Sequence, residues 1–334
     1  MPAVLVWVLF GVCTLVILRA GTKLSVYGDV LADKTGLGRT WIGVVLMASV
    51  TSLPELITGV SSVAIFDVPN IAAGDILGSC MFNVLILSML DVRHPTPLST
   101  RIHQGHVLSA AFGVVMIGLV VLGLLAGDRA PAVGWVGVFS VAFLGTYVLA
   151  MRTIFVHERA RLADVAKEMA EELEPHAMSL REATTRYTLN ALLLVAAATY
   201  LPGIGESIAQ MTGLGETFVG SLFIAMSTSL PEVVVAVAAV RLGAVDLAAG
   251  NLFGSNLFNI AILGIDDLAY VQGPLLTSVQ PTHLISGVAA IAMTAVAIIG
   301  MTFRAGRKRY AFSWDALGIM GLYLTGALML YAGR

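Results

Sequence analysis

An all-α integral membrane protein, with ten transmembrane helices as two inverted five-helix repeats, is the fold class the sequence predicts. Three observations carry that prediction. Of 334 residues, 57% are hydrophobic and only 12% charged, against about 25% charged in soluble domains. The apolar residues fall in blocks of about 20, the helical length that crosses roughly 30 Å of hydrocarbon. Two stretches of the chain also repeat one another's polar motifs. With a net charge of −2, this composition argues against a soluble enzyme, a disordered chain and a nucleic-acid binder. Cys13 and Cys80 each sit in an apolar block and offer no disulfide framework or metal-type spacing.

The spans follow in order. The first, 3–20, has no basic segment before it and no small-residue cleavage site after it, so it reads as a true span rather than a removable signal. The spans 41–66 and 70–90 hold the polar motifs, and 107–127 and 131–151 complete a first repeat over 1–151. The stretch 152–186 is the most charged of the chain. Its core, Glu158 to Glu174, is a good helix former and reads as a solvated cytoplasmic connector; a regulatory helix is the alternative, without a motif that names its ligand. The second repeat, 187–334, holds spans at 187–209, 216–240, 246–264, 284–303 and 312–332.

Charge placement tests the count. With the N-terminus outside, every Lys and Arg except Arg129 and Arg334 falls on an inner connection, a strong positive-inside bias. Both termini are then expected outside, in the cell inner (plasma) membrane. Trp7, Trp41, Trp135 and Trp314 fall near span ends, as interface anchors do.

The internal repeat organises the chain. Gly36-Leu-Gly-Arg-Thr-Trp-Ile-Gly43 recurs as Gly213-Leu-Gly-Glu-Thr-Phe-Val-Gly220, and Thr51-Ser-Leu-Pro-Glu55 as Thr228-Ser-Leu-Pro-Glu232. Ala72-Ala-Gly-Asp-Ile-Leu-Gly-Ser-Cys-Met-Phe-Asn83 recurs as Ala248-Ala-Gly-Asn-Leu-Phe-Gly-Ser-Asn-Leu-Phe-Asn259. An odd number of spans per half makes the second half enter the membrane from the opposite side. That is the inverted architecture of secondary transporters, whose sites lie near the midplane.

Glu55, Glu232 and Asp75 lie deep in apolar blocks. Each charge at a bilayer centre costs about 2.5–3.5 kcal/mol on insertion scales, so the three are sustained only facing a cation or water inside the bundle. Pro54 and Pro231 lack an N–H and free the carbonyls four residues back, at Val50 and Ser227; such carbonyls are tolerated at membrane depth only in a cavity or on a ligand. Thr51, Ser52, Thr228 and Ser229 add hydroxyls on the same turns. Asp75, Ser79 and Asn83 share one helix face, as do Asn251, Ser255 and Asn259. Mixed oxygens of this kind, about six to eight of them, suit a hard cation such as Ca²⁺. Gly74, Gly78, Gly250 and Gly254 let neighbouring helices approach closely, a packing role compatible with an ion site.

On these residues the sequence resembles the cation/Ca²⁺ exchanger superfamily, and more closely its prokaryotic sodium/calcium exchanger branch. The paired Thr-Ser-Leu-Pro-Glu and Gly-Ser-x-x-x-Asn motifs that carry the resemblance lie within 36–90 and 213–266. It implies an antiporter that moves Ca²⁺ against Na⁺ by alternating access, without a cofactor, in which 3–20 and 187–209 slide over a fixed core. It implies that Ser52, Glu55, Ser79, Asn83, Ser229, Glu232, Ser255 and Asn259 coordinate the ions, with Thr51 and Thr228 adding backbone carbonyls. Exchangers of this branch place an acid at the position of Asn259 and Asn at the position of Asp75. Asp75 therefore either restores the third negative charge or is hydrogen-bonded as that Asn would be. The chain also has Val50 and Ser227 where the pattern has Gly.

An H⁺-coupled exchanger of Ca²⁺ or another divalent ion is the alternative, because protons can neutralise two central glutamates. A channel would need a continuous polar pathway, and an intramembrane hydrolase built on Glu55 and Glu232 fits the surrounding oxygens and proline breaks less well. His94, His103, His106, His157, His176 and His283 fall in or beside loops; His103 and His106, without acidic partners, read as bland interfacial residues. The Gly-x-Gly pairs lack the strand–helix context of a nucleotide site. The expected partners are Ca²⁺, Na⁺ and the lipid bilayer, with no nucleic acid; the sequence carries no signal of oligomeric state.

Overall fold

A computed structural model describes residues 2–35, 50–93, 96–172, 178–304, 307–308 and 311–333. The described residues are helical almost throughout: α1 (Ala3–Thr35), α2 (Leu53–Ala64), α3 (Pro69–Leu90), α4 (Gly105–Ala126), α5 (Val138–Glu172) and α6 (Leu180–Thr212), then α7 (Glu216–Thr228), α8 (Leu230–Arg241), α9 (Val245–Ala269), α10 (His283–Phe303) and α11 (Trp314–Ala332). Among the described residues eight helices are long and apolar enough to cross a membrane, and α7 with α8 makes a ninth span bent by 47°. Of the expected span 41–66, α2 and the residues just before it are described; the remainder, with Trp41 and the Gly36–Gly43 motif, lies outside the described residues. The expected span 131–151 needs correction at its start. Ala132–Val133 and Val136–Gly137 form a two-stranded antiparallel hairpin turning at Gly134, φ +65°. Hydropathy alone does not separate an apolar hairpin from a helix, whereas glycine's freedom at positive φ marks the turn.

Large apolar side chains face outward, and the carboxylates of the polar motifs are enclosed in the bundle. Leu125, Val148, Leu192 and Leu328 are exposed, while Glu55, Asp75 and Glu232 are fully buried, the arrangement expected where lipid is the solvent. Two apolar clusters divide the bundle. α1 and α6 pack along each other around Ile17, Leu24, Leu194 and Leu201. α3, α4, α9 and α10 pack around Ile76, Met116, Leu257 and Met293. The helices of the Pro-Glu motifs stand between them: α2 touches α6 on one side and α3 and α9 on the other, and α8 touches α1 on one side and α3 and α9 on the other.

Repeat-related turns close both ends. Asp91 Oδ1 accepts from Leu98 N at 2.6 Å, and its counterpart Asp267 Oδ1 accepts from Leu275 N at 2.5 Å. Asp246 Oδ1 accepts from His103 N at 2.6 Å, and its counterpart Asn70 Oδ1 accepts from Gln280 N at 2.7 Å.

Small residues bring α3 against α7. The stretch Val219–Ile224 is a π-helical turn inside α7, and Gly74 and Gly78 of α3 face Gly220 and Ser221 within it. A methyl carbon at Gly78 would lie 2.6 Å from Ser221 Cα, so backbone and not a flexible side chain would have to move. Gly78→Ala is expected to destabilise the bundle by about 1–3 kcal/mol through overpacking. Thermal melting in detergent checks this, with Gly118→Ala, where nothing lies within 4 Å, as the neutral control; equal melting of the two variants would refute it.

Candidate cation site

The site begins with two interrupted helices. α2 starts after Ser52 (φ −89°, ψ 14°) and α8 after Ser229 (φ −85°, ψ 7°). Pro54 and Pro231 stand in the first turn of each new helix, where a missing N–H has no intrahelical partner to lose. Proline therefore starts a helix here rather than kinking a continuous one. The same geometry places Glu55 and Glu232 at helix N-termini, whose dipole favours negative charge.

The two halves hold each other's glutamates. Ser229 Oγ donates to Glu55 Oε1 at 2.9 Å, and Ser52 Oγ donates to Glu232 Oε1 at 3.2 Å. The threonines repeat the exchange: Thr228 Oγ1 donates to Asp75 Oδ1 at 2.8 Å, and Thr51 Oγ1 to Asn251 Oδ1 at 3.4 Å. From the facing helices Ser79 Oγ meets Ser229 Oγ at 2.9 Å, and Ser255 Oγ donates to Glu232 Oε1 at 3.4 Å. Asn83 Nδ2 donates to Asn256 Oδ1 at 2.9 Å. All eleven residues singled out from the sequence, Asn259 among them, have no solvent exposure.

Several acceptors remain open. Glu55 Oε2, Glu232 Oε2, Asp75 Oδ2, Asn83 Oδ1 and Asn259 Oδ1 are buried without a hydrogen-bond partner. Buried acceptors are normally paired, and unpaired oxygens of two glutamates, an aspartate and two amides are suited to a hard cation. Among the described residues no group of three or more His, Cys, Asp or Glu side chains has a metal-holding arrangement, so the donor set is carboxylate, amide and hydroxyl oxygen. Asp75 is held by Thr228; it occupies the position that Asn251 holds in the other half.

Asn256 escaped the sequence reading. It sits at the repeat position of Cys80, receives Asn83, and donates to Cys80 O at 3.2 Å. A search for matched residues passes over a Cys/Asn mismatch; an unmatched amide in an apolar helix was the available signal. The reading of the histidines is corrected as well. His106 Nε2 lies 3.5 Å from Asp246 Oδ1, an acidic partner supplied by α9 and invisible to local sequence. Its counterpart His283 is fully buried, with Nε2 3.3 Å from Asn70 Oδ1. These pairs close turns at the ends of the bundle. His157 is exposed on α5, and His94 and His176 lie outside the described residues.

Comparisons with known proteins agree with this architecture. An uncharacterized membrane protein of Methanocaldococcus jannaschii is 24% identical over 230 residues, 68% of this chain and 70% of that protein. A structure of the sodium-calcium exchanger NCX_Mj, soaked with 2.5 mM Na⁺ and 0.1 mM Ca²⁺, aligns with a TM-score of 0.58 at 18% identity, covering 96% of this chain and 97% of the other. Native YfkE aligns with a TM-score of 0.67 at 15% identity, covering 97% and 92%. Both have the same fold as this chain. The profile of the family described as sodium/calcium exchanger protein matches residues 5–156 and 186–332. A match over nearly the whole length places the chain in the sodium/calcium exchanger protein family, as a multi-pass membrane cation/Ca²⁺ exchanger and not an enzyme.

Proposed function

We propose that the protein is a secondary-active antiporter that exchanges Ca²⁺ for Na⁺ by alternating access. The observation that carries this reading is the set of five unpaired buried oxygens on Glu55, Asp75, Asn83, Glu232 and Asn259. Ser52, Ser79, Ser229 and Ser255 complete the ligand set. Thr51 and Thr228 direct their hydroxyls to Asn251 and Asp75, and their carbonyls are the groups assigned to the ion. One Ca²⁺ or several Na⁺ compete for the same two glutamates. An empty site with uncompensated charges on Glu55, Glu232 and Asp75 does not cross between inward and outward states, because that would bury them without a counter-ion. Return therefore requires the other ion, and that requirement is the exchange.

The halves 1–151 and 187–334 act as inverted repeats joined by the cytoplasmic connector 152–186, with both termini outside the cell membrane. α1 and α6 are the sliding pair. Their packing along each other around Ile17, Leu24, Leu194 and Leu201 supports this. Asp75 supplies the third negative charge that Asn259 lacks, through its unpartnered Oδ2.

The second reading is H⁺ coupling, favoured by the neutral Asn259. Proteoliposomes decide between them: a Na⁺ gradient at equal pH is expected to drive Ca²⁺ uptake, and uptake under a pH gradient alone would overturn Na⁺ coupling. In the same vesicles Asp75→Asn is expected to weaken Ca²⁺ affinity by about tenfold, equivalent to about 1.4 kcal/mol. Unchanged affinity and stoichiometry would remove Asp75 from the ligand set.

A further inference from the structure

Near the C-terminal end of α9 two aspartates stand side by side with opposite circumstances. Asp267 uses both oxygens, accepting from Leu275 N at 2.5 Å and from Gly137 N at 2.8 Å. Asp266 is fully buried, and neither of its oxygens has a hydrogen-bond partner. Its carboxyl group lies against Gly59 of α2, where an added Cβ would fall 2.8 Å from Asp266 Cγ. The absence of a side chain at Gly59 is what makes room for it.

Its place relative to the cation site follows from helix periodicity. Gly59 is one turn beyond Glu55 on α2, and Asp266 is two turns beyond Asn259 on α9, so each shares a face with a site residue. Along α9 the separation from Asn259 is about 10 Å, toward the end where α9 finishes. The repeat position of Asp266 is Leu90, so this carboxyl group has no symmetric partner and is no part of the paired site.

An ionised carboxylate with neither donor nor counter-ion is costly at membrane depth. A cation has to neutralise it. Na⁺ and Ca²⁺ need several oxygens, whereas Gly59 brings no side-chain oxygen to the facing wall; a proton needs a single lone pair. We propose that Asp266 is a proton-binding site, separate from the exchange site, on the route between that site and the end of the bundle where α9 finishes. With the proton bound the route is electrically neutral; with the proton released, the carboxylate draws cations toward the site. The titratable and charged groups on the packed elements include Glu55 from α2, Asp75 and Cys80 from α3, Glu232 and Arg241 from α8, Tyr147 at Phe258 and Arg152 from α5, and Asp267 beside it, with His106 of α4 at the opposite end against Gly250. Asp267 and Asp75 among them oppose a negative charge on Asp266.

Two measurements test the proposal. Infrared spectra of Ca²⁺-saturated protein at neutral pH are expected to show a protonated-carboxyl band that is absent from Asp266→Asn; a wild-type spectrum without the band, or a band that persists in the variant, overturns the site. Ca²⁺–Ca²⁺ self-exchange in vesicles, which needs no coupling ion, is expected to rise about tenfold between about pH 5 and about pH 9 in the wild type. Asp266→Asn is expected to hold the low-pH rate throughout, and a variant that keeps the wild-type profile overturns the role. This second arm rests on the exchange reading: absence of self-exchange in the wild type would count against that reading, while the infrared band would still decide Asp266.

Discussion

Glu55→Gln and Glu232→Gln are each expected to abolish Ca²⁺ uptake, lowering it by at least about 100-fold, or about 2.7 kcal/mol. Glutamine keeps the size of the side chain and an acceptor at the position of Oε1, so the hydrogen bonds from Ser229 and Ser52 can persist. What it removes is one charge of a buried pair, together with the open Oε2 acceptor. In a low-dielectric interior that charge is worth more than any neutral ligand there. The variants should still fold, because a buried charge without its ion is a cost to the empty protein. The separation of the two effects is measurable. Ca²⁺ should raise the melting temperature of the wild type, since a ligand stabilises the state it binds, and should leave the melting temperature of either variant unmoved. Normal uptake by either variant would overturn the assignment of the site.

Much of this site is legible in the sequence because its two copies are local and matched. Thr51-Ser-Leu-Pro-Glu55 contains its own helix break, and proline at that place has few structural meanings. Asp75, Ser79 and Asn83 are one turn apart, so periodicity alone puts them on one face. The spans are legible for a similar reason: lipid imposes length and apolarity on each segment independently of its neighbours. What was not legible depends on partners distant in sequence or on mismatched positions. Asn256 meets Asn83 only once α3 and α9 are packed, and its repeat position is a cysteine. The crossing of Ser229 to Glu55, 174 residues apart, is a fact of packing that no local pattern states. Asp246 reaches His106 across 140 residues of chain in the same way. The π-helical turn at Val219–Ile224 has no composition of its own; it becomes intelligible beside Gly74 and Gly78, whose bare backbone it approaches.

The end of α3 offers a contrast within one molecule, since Asp91 and Asp267 are repeat copies with unequal surroundings. Asp91→Asn is expected to cost about 3–5 kcal/mol of stability, and Asp267→Asn about 1–3 kcal/mol. Both aspartates accept a backbone N–H at each oxygen: Asp91 from Leu98 and Ser313, Asp267 from Leu275 and Gly137. Asparagine can replace only one of those acceptors, so each variant leaves a donor unmet. Asp91 Oδ2 also holds Lys308 Nζ at 2.9 Å, with the side chains only 5% and 2% exposed, whereas no cation is paired with Asp267 among the described residues. Removing the charge at Asp91 therefore takes the carboxylate from a buried ammonium, which keeps its bond to Asp91 O, and the lost charge pair is where the extra loss arises. Lys308→Met in the Asp91→Asn background should restore part of it, because the buried positive charge that lost its carboxylate goes with the lysine, and the non-additivity measures the coupling. Melting temperatures of the two single variants and the double variant in detergent give the comparison. Equal losses at Asp91 and Asp267 would mean that Lys308 contributes nothing. Asp91 ties the end of α3 to the segment before α11 and lies away from Glu55 and Glu232, so the Ca²⁺-induced rise in melting temperature should survive all of these changes.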